Sequence, residues 1–242
     1  MNPETTTPKE MGTLEKIVSI FVSPTETFKS LDRKPDWIVP FVIVLILTLG
    51  MQYLTLDIQI NDRLAMMEAQ GGMSDEQLQA ASAQMRGPMR YIGLITTPFA
   101  IPVVWVVLAG LLLLAANLTL GAEAEVKFRK VFSMVAWSSL VSSLAIILLT
   151  ALMLMKGTSL GVTTDLTPLM PAQPLGEAKT LTHRLLSKLD IFTIWQLILW
   201  TLGLSVFYRV APPKAAIPVL SLWIIWIVVS VVAGGFLGKF GM

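Results

Sequence analysis

Residues 94–116 read LITTPFAIPVVWVVLAGLLLLAA, and no Lys, Arg, Asp or Glu interrupts them. The hydrocarbon core of a bilayer takes a helix of roughly 17–25 mostly apolar residues, which this run supplies. A helix apolar on every side has to be buried, in a large core or in lipid. Four further blocks of the same kind stand at residues 38–56, 131–155, 191–208 and 217–237. All five are too long and too uniformly apolar for the alternating strands of a barrel. The expected fold is therefore all-α: a polytopic membrane protein whose domain, residues 38–237, is a bundle of five transmembrane helices. Residues 238–242 are left as a short C-terminal tail.

Composition agrees. The 242 residues are 54% hydrophobic and only 14% charged, where soluble domains carry about 25% charged residues. The formal net charge of +2 points to no nucleic acid partner. With no cysteine, disulfides, thiolate metal sites and cysteine nucleophiles are excluded, and the redox compartment stays open.

Outside the spans, residues 1–12 are rich in Thr, Pro and Glu and are expected to be disordered. Residues 13–37 read as two short amphipathic helices. Leu14, Ile17, Val18 and Phe21 follow helical spacing in the first. Ser23-Pro24-Thr25-Glu26 has the spacing of a capping box, with Pro at the first helical position, and opens the second, which carries Phe28 and Leu31. Such helices either lie in the membrane interface or pack under the bundle. Pro35-Asp36-Trp37 turns the chain into the first span, with Trp37 as an anchor at headgroup depth. The leader does not have the form of a cleaved signal peptide.

The connection after span one breaks at Gly71-Gly72. It restarts as a helix at Ser74-Asp75-Glu76-Gln77, ending near Arg86 before Gly87-Pro88. The connection after span three is a loop from Gly157 to Gly176 and turns amphipathic from Thr180, with Leu181, Leu185 and Leu189 in phase. Span four is the shortest and has room to begin a turn earlier, at Leu185-Leu186. Lys127, Arg129 and Lys130 crowd one short loop, and Arg209 and Lys214 the other. The two long connections spread seven basic residues over about seventy positions, with five acids near span one. Basic short loops are held in the cytoplasm, so the N-terminus is expected inside and the C-terminus outside.

Ionisable groups at membrane depth mark function, and this chain has almost none. Asp190 opens span four, where a carboxylate caps free N–H groups and suits the helix dipole. Gln52 and Gln196 read as interhelical hydrogen bonds. A polar cavity near Gln52, Gln196 and Asp190 is the other reading. Trp195 and Gln196 follow Asp190 by five and six positions, roughly 140° and 240° around a helix, so the three do not share one face. Ser138, Ser142, Ser139 and Ser143 on span three, and Ser230, Gly234 and Gly238 on span five, recur at the four-residue spacing that lets helices approach closely. Pro98 and Pro102 should kink span two.

No catalytic, cofactor or metal site is legible. His183 is the only histidine, and no Gly-rich phosphate loop, HExxH or GxSxG occurs. The pairs Asp75-Glu76 and Glu123/Glu125 read as solvated faces.

Three stretches together resemble a known family. They are Ile20-Phe21-Val22-Ser23-Pro24 with Thr27-Phe28 and Pro35-Asp36-Trp37; Phe128-Arg129-Lys130-Val131-Phe132 leading to Ala136-Trp137; and Leu189-Asp190-Ile191-Phe192-Thr193-Ile194-Trp195-Gln196 continuing to Leu202-Gly203-Leu204. In this order they are similar to the Yip family (Ypt-interacting, five-span membrane proteins), in its prokaryotic branch, over roughly residues 14–237. The resemblance implies a cytoplasmic N-terminus, a C-terminus across the membrane, and no catalytic residues. It places the chain in the bacterial inner (cytoplasmic) membrane. Eukaryotic relatives bind prenylated small GTPases in vesicle traffic; the leader here is short beside their cytosolic domain. The expected function is a non-enzymatic, membrane-embedded scaffold or adaptor that binds membrane lipids or other membrane proteins. The alternative is a transporter, channel or lipid-moving protein.

Overall fold

In the computed structural model, the structure describes residues 11–121, 125–171, 174 and 179–239, the last six of these by backbone only. The described residues form α1 (Thr13–Val22), α2 (Pro24–Arg33), α3 (Ile38–Gln70), α4 (Asp75–Arg86), α5 (Ile92–Leu120), α6 (Phe128–Lys156), α7 (Leu181–Leu186), α8 (Ile191–Tyr208) and α9 (Pro212–Lys239). Five of these, α3, α5, α6, α8 and α9, are long and apolar enough to cross a membrane. The expected disorder of residues 1–12 and the tail 238–242 fall mostly outside the described residues.

Helix α6 is the axis. Every residue from Val131 to Val141 is buried, because α3, α5, α8 and the α1–α2 pair all pack against it. Helix α9 closes the bundle on the other side of α5 and α8. Elsewhere many large apolar side chains of the spans, such as Phe99, Ile191 and Val232, point outward. An apolar exterior of this kind is what lipid demands.

The end of span one differs from the sequence expectation. Helix α3 does not stop near Leu56 but runs fourteen residues further, to Gln70. No Pro or Gly interrupts Asp57–Gln70, and Gly71 ends the helix at φ +68°. Helix α4 then doubles back along this polar extension, with Arg86 donating to Asn61 (2.6 Å) and Arg90, just beyond it, to Asp57 (2.9 Å). Span four begins at Ile191 without the extra turn, since Leu185-Leu186 belongs to the separate α7 and Leu189 lies past its end. Pro98 and Pro102 are both contained within one helix, α5.

The capping box at Ser74 is complete. Its hydroxyl accepts the Gln77 N–H and its own N–H reaches Gln77 Oε1 at 2.9 Å. At Ser23 the boundary is where the pattern puts it, but the side chain makes no cap bond. Ser23 also ends α1, its N–H held by Ser19 O, so its backbone serves two helices at once.

Candidate functional site

Each polar residue singled out from the sequence has a different partner. Gln52 on α3 meets α5, where Thr97 Oγ1 donates to Gln52 Oε1 at 3.2 Å and to Gly93 O at 2.7 Å. Gly93 makes room for this contact, since a Cβ there would stand 2.6 Å from Gln52 Nε2. Gln196 on α8 meets α6, accepting from Ser142 Oγ at 2.9 Å. Such amides contribute about 0.6–2 kcal/mol each between membrane helices. No hydrogen bond joins any two of Gln52, Gln196 and Asp190.

Asp190 is the N-cap of α8. Its Oδ1 accepts the Thr193 N–H at 2.9 Å, and Oδ2 accepts the Thr164 hydroxyl from the preceding loop. A backbone bridge between Asp165 and Asp190 holds that loop in place. Burial raises the Asp165 carboxyl, but donation from the Thr167 hydroxyl (2.5 Å) and N–H (2.8 Å), with Thr163 and the charge of Lys179, brings it below the ordinary carboxylate range. Asp62, on the extension of α3, accepts from Ser159 Oγ (2.6 Å) and Thr158 Oγ1 (2.9 Å) in the same loop. The loop that follows α6 thus ties α3 to the start of α8.

Trp195 has its ring edge against Phe21, 6.0 Å between centroids. Lower on α8, Phe28 of α2 meets Phe207, 6.4 Å between centroids. Twelve residues of helix separate the two contacts, about 18 Å. Helix α2, with Phe21 from the end of α1, therefore lies along α8. Phe28 sits over Gly203, where a Cβ would come 2.7 Å from Met134 Cγ and closer still to its sulfur. The bare backbone at that position is what lets α2, α6 and α8 meet.

A charged latch at the foot of this hairpin escaped the sequence reading. Lys16, only 6% exposed, pairs with Asp36 at 2.5 Å and lies over the Trp137 ring. The Trp137 indole N–H donates to Asp36 Oδ1 (2.9 Å) and to its backbone carbonyl. Lys130 of α6 pairs with Asp32 of α2. The one available signal was a lysine inside the apolar run of α1, and nothing nearby in sequence names its partner. Trp37, read as an anchor at headgroup depth, is half-buried and packs against Phe41 and Phe132. Of the small-residue stripes, Ser138, Ser139 and Ser143 are buried on α6. Gly234 and Gly238 lie among the residues described by backbone only.

Among the described residues no three His, Asp or Glu come together as metal ligands. The His183 ring and its N–H meet the hydroxyl of Thr180, which caps α7. Asp75 and Glu76 are exposed in the first turn of α4.

What the helices and their contacts define is an all-α, polytopic integral membrane protein with short N-terminal helices packed on the bundle. The family described as the Yip1 domain matches residues 18–234. The chain belongs to the Yip1 domain family. No curated protein and no solved structure matches it.

Proposed function

We propose that this chain is a non-enzymatic scaffold or adaptor of the bacterial cytoplasmic membrane, binding lipids and other membrane proteins. The observation that carries the reading is how the polar side chains at depth are used. Gln52, Gln196 and Asp190 are each taken up by a neighbouring helix or loop. Lining a shared path would require them to point at one another or at a common space. The surfaces left to bind partners are external. One is the α3–α4 hairpin, whose tip at Gln70–Asp75 is exposed. The other is the outward stripe of α1, Leu14, Val18 and Val22, which are 80%, 61% and 72% exposed and recur one turn apart. That stripe faces lipid of the adjoining leaflet, so residues 13–37 act as an interfacial element while packing on α8.

The basic short loops support an orientation with the N-terminus and both short loops in the cytoplasm and the C-terminus outside. The experiment pairs two assays on the full chain. Proteoliposomes should pass ions, small solutes and labelled lipids no faster than empty vesicles. A photoreactive residue at Met73 should form discrete protein adducts in native membranes, reduced when the exposed faces of α4 are altered. Transport above background that Gln196→Leu abolishes would contradict the scaffold reading.

A further inference from the structure

The segment between Thr180 and Asp190 carries two cations and a pair of exposed leucines. Arg184 has its Nε on Lys179 O (2.9 Å) and its Nη1 against Val231 O of α9 (3.5 Å). Lys188 holds its ammonium over the Trp226 ring of α9, 5.7 Å from the centroid. Both cations thus meet carbonyls or a ring, and among the described residues neither pairs with a carboxylate. The carboxylates nearest in this loop, Asp165 and Asp190, are occupied by threonine hydroxyls and backbone N–H groups.

On the adjoining side Leu181 and Leu185, one turn apart, are exposed, as is Trp226. Exposed leucines, an indole and paired cations at the mouth of a span match the chemistry of the boundary between acyl chains and headgroups. Both cations precede Ile191, the first residue of α8, so they stand before that span and not within it.

We propose that α7 and the adjacent part of α9 bind the headgroup of an anionic phospholipid. Its phosphodiester sits between Arg184 and Lys188, and its acyl chains lie beside Trp226 and the exposed leucines. Charge complementarity selects this occupant: two cations that pair with no carboxylate among the described residues favour a lipid with net negative charge over one carrying its own ammonium. The inference deepens the lipid-binding half of the proposed function and rests on it. Failure here would leave the Met73 adducts and the transport result untouched, so the two readings fail separately.

The test is native mass spectrometry of the full chain, released from nanodiscs of phosphatidylcholine containing a minor fraction of phosphatidylglycerol. The parent is expected to retain phosphatidylglycerol in preference to phosphatidylcholine. Arg184→Gln with Lys188→Gln should reduce that retention on the order of tenfold, while Arg184→Lys keeps most of it. The melting temperature in phosphatidylcholine alone checks that the double variant folds. Exchanging Lys29 and Arg33 for Gln should leave retention unchanged. Equal retention by parent and double variant, no preference between the two lipids, or loss of bound lipid to millimolar inorganic phosphate would each overturn the proposal.

Discussion

At Gly203 the main chain of α8 comes so near α6 that the Met134 side chain occupies the space a Cβ would take. Gly203→Val should therefore lose about 1–3 kcal/mol, because added bulk in a packed crossing forces side chains off their rotamers. A melt in detergent reads this, and Met134→Ala in the same chain should recover part of the loss. At Asp190 the stake is different. Its carboxylate satisfies the Thr193 N–H and holds Thr164, so Asp190→Ala should lose about 0.5–2 kcal/mol and Asp190→Asn much less. Asp190 was legible in the sequence, since a cap is a local matter of a carboxylate just before an apolar run. Gly203 was legible only as part of a family resemblance. Its role depends on Met134 and Phe28, which the chain brings from two other helices.

The α1–α2 hairpin and the loop after α6 are the elements whose attachment is electrostatic as well as apolar. Truncating Asp36 leaves Lys16 buried without an anion, a situation that typically costs about 3–5 kcal/mol when both groups are fully buried. The Asp36 side chain is 37% exposed, so about 2 kcal/mol is the expected loss for Asp36→Ala once solvent screening is allowed for. Lys16→Met should lose less, because Asp36 keeps its bond to Trp137 and its access to water. The loop adds a pH dependence. Asp165 has a carboxyl lowered in the folded state, so it stabilises the protein above the ordinary carboxylate range. That contribution is lost as pH falls through the lowered folded value. The fall in melting temperature between neutral and strongly acid pH should be smaller in Asp165→Asn than in the parent. Neither attachment could be read ahead of the fold: Lys16 and Trp137 are more than a hundred positions apart in sequence, and the Asp62 contacts nearly so.

For the whole molecule, span number and helix class were plain from five charge-free runs, because the bilayer sets their length and composition directly. The extension of α3 to Gln70 was not, since polar helix formers past Leu56 look the same whether they continue a helix or leave it. Orientation makes its own prediction on a background with no native cysteine. Single cysteines at Glu26 and Lys214 should resist an impermeant thiol reagent in intact cells, while one at Gln70 reacts; the reverse pattern would invert the topology. The central claim is that Gln52 and Gln196, the amides at depth, join helices and do not line a path. Ser138 is fully buried, and Ser142, one turn on, holds Gln196. The most direct measurement is the rate at which a small water-borne thiol reagent modifies single cysteines at Ser138 and Ser142 in the folded, membrane-reconstituted chain. No modification is expected until the protein is denatured. Modification in the folded state at a rate near that of the exposed Gln70→Cys control would show water reaching the interior, and would contradict that claim.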